Sequence, residues 1–232
     1  MEKLQNIRIA VDAIVFGYKN NDLYALLIEQ QFGTSEKYWA LPGGLVKNDE
    51  SLNDAVIREL HEETNVQLTF MEQLYTFGDD IYRDSRNRVI SVAYYALVNV
   101  KDYETNISDT HHAQWFSMQD LPELLFDHRE MIKIAIERLR YKAAFHPIGF
   151  ELMPEKFTIP QILNLYEAIY GSNFDKRNFS RKILSTGLLI KLKEKQKGFS
   201  KKGAFLYALD TEKYKKHSDS FLNFIPNPEG LV

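Results

Sequence analysis

Three glutamates in the first third of the chain have the spacing of a metal-binding cluster. Glu59, Glu62 and Glu63 follow a pair of glycines at positions 43 and 44. At 3.6 residues per turn, the three glutamates share one face of a helix. Carboxylates packed this closely repel one another and raise one another's pKa unless a cation lies among them. We therefore predict that they hold a hard divalent ion such as Mg²⁺, which proteins commonly share with the phosphate oxygens of a substrate.

The segments around this cluster predict a mainly β domain with one strong helix. The cluster lies in a helical pattern over residues 51–65, after a loop that Pro42 and the two glycines create. Residues 19–22 are turn-forming and separate two apolar, β-branched segments, which predicts a hairpin. The predicted strands cover residues 7–18, 23–30, 68–78, 88–100 and 111–118.

Residues 43–66, GGLVKNDESLNDAVIRELHEETNV, resemble the Nudix box. That motif is a glycine, five residues, a glutamate, seven residues, and then Arg-Glu-aliphatic-any-Glu-Glu-any-Gly-aliphatic. Gly44, Glu50 and Arg58 occupy fixed positions of the motif, and its last glycine is replaced by Asn65. Asn is next to glycine in tolerating the left-handed conformation that ends many helices. If the site is active, the resemblance makes the following residues catalytic: Glu50, Arg58, Glu59, Glu62 and Glu63.

The Nudix resemblance also implies a fold and a reaction. The fold is an α/β/α sandwich with a mixed sheet, and the reaction is the Mg²⁺-dependent cleavage of a nucleoside diphosphate linked to another group. Residues 78–98 look like the strand-turn-strand of the ADP-ribose pyrophosphatase branch. The candidate ligand-binding residues are Trp39, Gly43, Gly44, Arg83, Asp84 and Arg88. The alternative for the charged residues is a solvated surface turn, and for Trp39 it is a place in the core.

Charge is divided unevenly along the chain. The net charge is −3, but residues 156–216 contain fourteen basic and five acidic side chains, a sum of +9, so the other 171 residues carry −12. A basic segment joined to an acidic body is the electrostatic pattern of a region that meets a polyanion. Nucleic acid is the obvious polyanion, and a solvated basic face is the alternative.

The basic segment has the element order of a winged helix. Thr158 and Pro160 mark the start of a helix that Gly171 ends, and residues 175–186 form a second helix. The β-like segments LLIKLKEKQ and AFLYALD then flank a basic, turn-forming segment at 197–203, which predicts a hairpin. Two short helices followed by a two-stranded ribbon are typical of this kind of DNA-binding domain.

The last third, notably FTIPQILNLYEAIYGSNFDKRNFSRKILSTGLL, resembles the Nudix-related transcriptional regulators, in which a pyrophosphatase-like domain precedes a winged helix. In that family the second helix enters the major groove, where Arg and Asn contact guanine and adenine edges, while lysines hold phosphates. The predicted DNA-binding residues are Lys176, Arg177, Asn178, Ser180, Arg181, Lys182, Lys201 and Lys202. The predicted core-facing side chains of the same helix are Phe174, Phe179, Ile183 and Leu184.

The remaining features of the sequence bound the class of protein. The chain has no cysteine, which excludes disulfides and thiolate metal sites, and no apolar stretch of about 20 residues that could span a bilayer. The N-terminus has no signal-peptide pattern, so we expect a cytoplasmic protein without a membrane partner. We predict an α+β chain with a Nudix-like ligand-sensing domain at 1–125, a connecting helix and linker at 126–150, and a winged helix-turn-helix domain at 151–232.

Two functions fit this organisation. The first is a ligand-responsive regulator, a homodimer that binds double-stranded DNA and senses an ADP-ribose-like nucleotide or a pentose sugar. The family resemblance implies a repressor of genes of NAD metabolism or sugar catabolism. The second is an active Mg²⁺-dependent ADP-ribose or sugar-nucleotide pyrophosphatase with an accessory basic domain. A pyrophosphatase needs no recognition helix, so the sequence favours the regulator.

Overall fold

The chain forms two compact units in a computed structural model. The structure describes residues 6–31, 36–103, 112–145, 147–196 and 203–217. The units are Met1–Ala135 and Ile136–Val232. The predicted domain limits at residues 125 and 150 lie on either side of this division and stay predictions. Among the helices of the described segments, none is long and apolar enough to cross a membrane.

The first unit is built on a mixed sheet of seven strands. The strands are β1 (Arg8–Lys19), β2 (Asp22–Gln31), β3 (Lys37–Ala40), β4 (Gly43–Leu45), β5 (Glu72–Phe77), β6 (Val89–Asn99) and β7 (Gln114–Ser117). Five of them run in the order β3-β2-β1-β6-β5, while β4 pairs with β1 and β7 pairs with β2. β1 and β6 are parallel, and the other pairs are antiparallel. The central strand β1 therefore carries neighbours on both sides along much of its length.

The predicted hairpin joins β1 to β2. Lys19 and Asp22 form its last pair, and the two residues between them, Asn20 and Asn21, have φ values of 52° and 64°. Positive φ at both central positions defines the type I′ turn, whose twist matches that of paired strands. Asn is one of the few residues enriched in this conformation. The local sequence thus fixes the register of the hairpin that opens the fold.

Helix α1 (Leu52–Thr64) carries the Nudix box and packs on one face of the sheet. The Ser51 side chain accepts a hydrogen bond from the backbone N–H of Asp54 at 3.1 Å and caps the first turn. The helix ends at Asn65, which has φ 59° and donates its N–H to the His61 carbonyl at 2.8 Å. The predicted left-handed end is confirmed. The core between α1 and the sheet contains Val11, Ala13, Val15, Ala55, Val56 and Leu60.

The start of helix α2 (His128–Phe145) lies on the other face of the sheet, and the part of α2 up to Ala135 belongs to this unit. Side chains alternate along a strand, so Asp12 points away from α1, and its carboxylate lies 3.5 Å from Nε2 of His128, the first residue of α2. A helix on each face of a mixed sheet is the predicted α/β/α sandwich. The predicted fold of this unit is confirmed.

The second unit contains the last turns of α2 and the predicted winged helix. Its other elements are α3 (Ile159–Tyr170), α4 (Lys176–Ser185), β8 (Leu189–Gln196), β9 (Ala204–Leu209) and α5 (Thr211–His217). The Thr158 N–H donates to the Gln161 side chain at 2.7 Å, and Gly171 ends α3 with φ 65°. Tyr166 is fully buried, and its ring packs edge-to-face on Phe179 with centroids 5.2 Å apart. The predicted order of two helices and a hairpin is confirmed.

The prediction that Leu184 of α4 lies in the core is wrong. Phe179 and Ile183 are buried, and Phe174 is half-buried, but Leu184 is 42% exposed. At about 100° per residue, position 184 lies well away from the direction that Phe179 and Ile183 share. The apolar character of Leu184 therefore did not decide its environment.

Candidate functional site

The first candidate site centres on the Gly43-Gly44 turn beside α1. β4 pairs Gly43 with Asp12 and Gly44 with Val11, which brings the turn against the central strand. A Cβ on Gly43 would clash with the Val11 carbonyl oxygen and lie 2.8 Å from Asp12 Oδ1. A Cβ on Gly44 would lie 2.5 Å from Cδ of Glu59. Glycine is needed at position 43 because the Val11 backbone approaches it more closely than a side chain allows, whereas at position 44 the neighbour is the end of a flexible side chain.

Glu63 is a buried carboxyl of this site whose pKa is raised. Its Oε2 accepts the Gly43 N–H at 2.8 Å and its Oε1 accepts from the Gln30 amide at 3.3 Å. The pKa of Glu63 is raised to about 7, first by burial and then by the nearby carboxylates of Glu59 and Asp12, while the two hydrogen bonds act in the opposite direction. A carboxyl with this pKa exchanges its proton near neutral pH.

Arg58 holds the other carboxylates of the Nudix box. Its guanidinium makes two bonds to Glu50, at 2.8 and 2.6 Å, and Nη1 reaches Glu59 at 2.7 Å and Glu62 at 3.1 Å. The hydrogen bonds from Arg58 and from the Lys47 N–H lower the pKa of Glu50 to about 2. The fork geometry of Arg suits such paired contacts. The structure therefore gathers Glu50, Glu59 and Glu62 around Arg58, while Glu63 bonds to the glycine turn near Glu59.

The residues around the glycine turn fit a hard divalent cation in part. Glu59 and Glu63 are both directed at the turn, and carboxylate oxygens are the ligands that Mg²⁺ prefers. The Glu62 side chain is 54% exposed and engages Arg58 instead. Within the described residues, no group of three or more His, Cys, Asp or Glu side chains is arranged around one metal position. Glu59 and Glu63 are the pair that would hold the ion, and the predicted role of Glu62 stays a prediction.

The candidate ligand residues of the strand-turn-strand segment are tied to protein groups. Arg83 is only 5% exposed and makes a bidentate contact with Asp127, at 2.9 and 2.6 Å. Asp84 accepts three hydrogen bonds from Arg86, and these bonds lower the pKa of Asp84. Arg88 donates to the Gly78 carbonyl at 2.7 Å. Their predicted ligand contacts stay predictions, and each residue also has a structural role.

The two tryptophans of this unit are half-buried. Trp39 packs edge-to-face on Phe116 with centroids 4.5 Å apart, and Trp115 joins the core cluster beside α1 and lies against Gly17. Trp115 is therefore a core residue. Trp39 lies three residues before Pro42, at the start of the glycine turn, and its ligand contact stays a prediction.

Sequence reasoning missed a buried polar cluster on the far side of the glycine turn. Asp12, Arg83, Asp127 and His128 make up this cluster, which we call the polar joint. Asp12 is buried, hydrogen-bonds to the Ser91 hydroxyl, and lies 4.0 Å from the Arg83 guanidinium. The sequence signal for this cluster is the single carboxylate of Asp12 within the apolar segment IAVDAIVF. A charged side chain buried in a strand is almost always paired with an opposite charge or a hydrogen-bond partner.

The second candidate site is the exposed surface of α4. Asp175 accepts the Asn178 N–H at 2.7 Å and caps the helix, and Arg181 donates to the Asn178 side chain at 2.8 Å. Ser180 donates its hydroxyl to the Lys176 carbonyl at 2.6 Å. The exposed side chains of the helix include Lys176, Arg177, Asn178 and Arg181, whereas Ser180 and Lys182 are half-buried. The predicted wing residues Lys201 and Lys202 lie outside the described residues.

The wing also contains a cationic aromatic stack that the sequence did not indicate. The ammonium groups of Lys191 and Lys195 lie 3.7 and 4.4 Å from the centroid of the Phe205 ring. Both distances are within the range of cation–π attraction. The described strands of the wing are therefore basic on the surface that carries Phe205.

Comparisons with known proteins match both units. A family model for the NUDIX domain matches residues 6–135, and one for the NrtR DNA-binding winged helix domain matches residues 149–209. The chain is 31% identical to the ADPR responsive transcriptional repressor NtrR of Acinetobacter baylyi over 210 residues, which are 89% of this chain and 83% of that protein.

Solved structures give the same result. NrtR of Shewanella oneidensis complexed with a 27mer DNA has a TM-score of 0.74 and 31% identity, covering 89% of this chain and 95% of that chain. The NUDIX domain of the same protein complexed with ADP ribose has a TM-score of 0.50 and 34% identity, covering 59% of this chain and 90% of that chain. On the glycine turn with its glutamates, the basic α4 surface and these matches together, the chain belongs to the NrtR family of transcriptional regulators, in which a Nudix domain precedes a DNA-binding winged helix.

Proposed function

We propose that this chain is a transcriptional repressor whose affinity for duplex DNA changes when ADP-ribose binds to the Nudix unit. The observation that carries the DNA-binding half is the exposed face of α4, where Lys176, Arg177, Asn178 and Arg181 lie together. The support for the effector is similarity to the Acinetobacter repressor, which is named as ADPR responsive, and to the Shewanella NUDIX domain complexed with ADP ribose. A DNA-binding regulator works beside the chromosome, so we place it in the cytoplasm.

The effector site in this proposal is the glycine turn with Glu59 and Glu63. Mg²⁺ held by the two glutamates beside this turn would neutralise the charge of a bound diphosphate. The ligand can act on DNA binding only through unequal affinity for the DNA-competent and DNA-incompetent states. We also propose a homodimer, because two winged helices related by a two-fold axis bind two half-sites of one operator.

The DNA-binding proposal is tested with a duplex selected on the full chain from a random-sequence pool. Fluorescence anisotropy then gives the Kd of that duplex for the wild type and for the double variant Arg177→Ala, Arg181→Ala. Each lost base contact costs about 1–3 kcal/mol, so we expect the Kd to rise at least about tenfold. The matched control is Lys37→Ala, Lys133→Ala, which removes two exposed positive charges from the first unit. Equal effects of the two double variants would contradict recognition by α4.

Hydrolysis is the second candidate function, and the position of Glu59 and Glu63 beside the glycine turn, where they would hold Mg²⁺, favours it. The test is release of AMP from ADP-ribose with and without Mg²⁺, in the wild type and in Glu63→Gln. Turnover that requires Glu63 would establish a hydrolase activity in addition to DNA binding. If no AMP is released at any Mg²⁺ concentration, the hydrolase function is wrong and the regulatory function remains.

A further inference from the structure

Two hydrogen bonds join the glycine turn to the start of α2 and the residues just before it, one between backbone groups and one from a backbone N–H to a side chain. The Leu125 N–H donates to the Trp39 carbonyl at 2.9 Å, and the Leu41 N–H donates to Nδ1 of His128 at 3.0 Å. Leu41 is buried and stands two residues before Gly43. The segment that leads into the glycine turn of the proposed effector site is therefore hydrogen-bonded to His128, the first residue of α2.

His128 uses both ring nitrogens within the first unit. Because Nδ1 accepts the Leu41 N–H, the neutral ring carries its proton on Nε2, which faces Asp12 Oδ1 at 3.5 Å. The His128 side chain is 5% exposed, and Asp12 is buried beside Gly43. Burial lowers the pKa of His128, although Asp12 and Asp127 oppose this, so the ring keeps the neutral form that can accept a hydrogen bond.

The residues just before α2 are held in an uncommon conformation. Phe126 has φ 51°, a left-handed value that non-glycine residues rarely adopt, and its ring packs edge-to-face on His128 with centroids 5.4 Å apart. Asp127 takes both hydrogen bonds of the Arg83 fork. Such strain persists only where the surroundings determine the backbone closely, and it concentrates at switch regions and ligand sites.

From these contacts we infer that His128 is a positioning residue for the effector response: it fixes the Leu41–Gly44 turn to the first turn of α2. This inference rests on the proposed function. A ligand that moves the turn must move or break the Leu41–His128 bond, and so must change the polar joint. α2 is the helix in which the chain passes from the first unit to the second, since the division between them falls after Ala135.

The quantity to measure is the coupling ratio, which is the Kd of the selected duplex with saturating ADP-ribose divided by the Kd without it. Ratios of about 5- to 150-fold are typical of coupled sites. Full-length wild type is compared with His128→Asn and His128→Gln. The Asn oxygen lies where Nδ1 lies and keeps an acceptor for Leu41, whereas the longer Gln reaches toward Asp12 and leaves the Leu41 N–H without one.

We expect His128→Asn to retain most of the wild-type ratio and His128→Gln to bring it to about one. Ile132→Ala is the matched control, because it truncates a buried apolar side chain of the same helix outside the polar joint. We expect this variant to have a lower Tm and the wild-type coupling ratio. A loss of coupling caused by general destabilisation would appear in Ile132→Ala as well and would overturn the inference.

Failure of the inference and failure of the proposed function give different results. If the wild type binds DNA with the same Kd with and without ADP-ribose, the proposed effector function is wrong. If the wild type responds and His128→Gln responds equally, only the positioning role is wrong. Should both His128 variants fail to fold, hydrogen exchange of the Leu41 N–H in the wild type carries the test, because His128 Nδ1 accepts that group. An exchange rate that ADP-ribose leaves unchanged overturns the inference, and a changed rate supports it.

Discussion

Replacing Glu63 by Gln should stabilise the protein above neutral pH. The Glu63 carboxyl is buried beside Glu59 and Asp12, and burial first of all raises its pKa from an ordinary 4.5 to about 7. Ionisation of this carboxyl is therefore less favourable in the folded protein than in the unfolded chain, and it lowers the free energy of unfolding. Gln keeps an oxygen that can accept the Gly43 N–H, now at 2.8 Å, but carries no charge. The substitution removes the cost and leaves the hydrogen bond.

The sign and size of the effect follow from proton linkage. Between pH 4.5 and 7 the folded protein binds more protons than the unfolded chain at this site, so the wild type loses stability as the pH rises through that window. At 1.36 kcal/mol for each pH unit, the limit is about 3 kcal/mol, and partial solvent access reduces it to about 2 kcal/mol. Below pH 4.5 the carboxyl is protonated in both states, and the two proteins should be equally stable.

The assay is urea unfolding of wild type and Glu63→Gln from pH 4 to pH 8, without divalent ions. The difference in the free energy of unfolding should be near zero at pH 4, rise between pH 4.5 and 7, and level off above that. A difference that is constant with pH, or that favours the wild type at pH 8, would refute the burial argument. Adding Mg²⁺ at pH 8 should stabilise the wild type and not the variant, since Glu63 is one of the two proposed ligands.

Two further predictions concern backbone positions around the same site. Gly43→Ala should destabilise the first unit by about 1–3 kcal/mol, seen as a Tm fall of about 2–12 °C, because its Cβ meets the rigid Val11 backbone. Gly44→Ala meets only the Glu59 carboxylate, so its Tm should stay near that of the wild type while Mg²⁺-dependent ADP-ribose affinity falls; equal Tm losses would contradict the distinction. Asn65→Val should cost about 1–2 kcal/mol in urea unfolding because its φ is 59°, whereas Asn65→Gly should be tolerated, and identical results would argue against the left-handed cap.

Local chemistry made much of the fold and part of each site predictable from the sequence. Caps and turns depend on residues that are neighbours along the chain, so Asn20-Asn21, Ser51, Asn65 and Gly171 each indicated the end or the turn that the structure has. The 3.6-residue period likewise brings Glu59 and Glu63 to one face of α1. The same period directs Leu184 away from Phe179 and Ile183, so the prediction for Leu184 was wrong because it followed the apolar type of the residue and not its position on the helix.

Only the tertiary structure decided how distant residues meet. Arg83 lies 44 residues before Asp127 and Leu41 lies 87 residues before His128, and no periodicity relates positions so far apart. Their contacts depend on the sheet order, which sets β1 beside both β4 and β6, and on the start of α2, where His128 lies against Asp12. The sequence alone identified the family and the two kinds of site through motifs that are short and local. The packing of the sheet decided that Arg83 is held inside the polar joint and that Glu63 is buried enough to shift its pKa, because burial is a property of the assembled core.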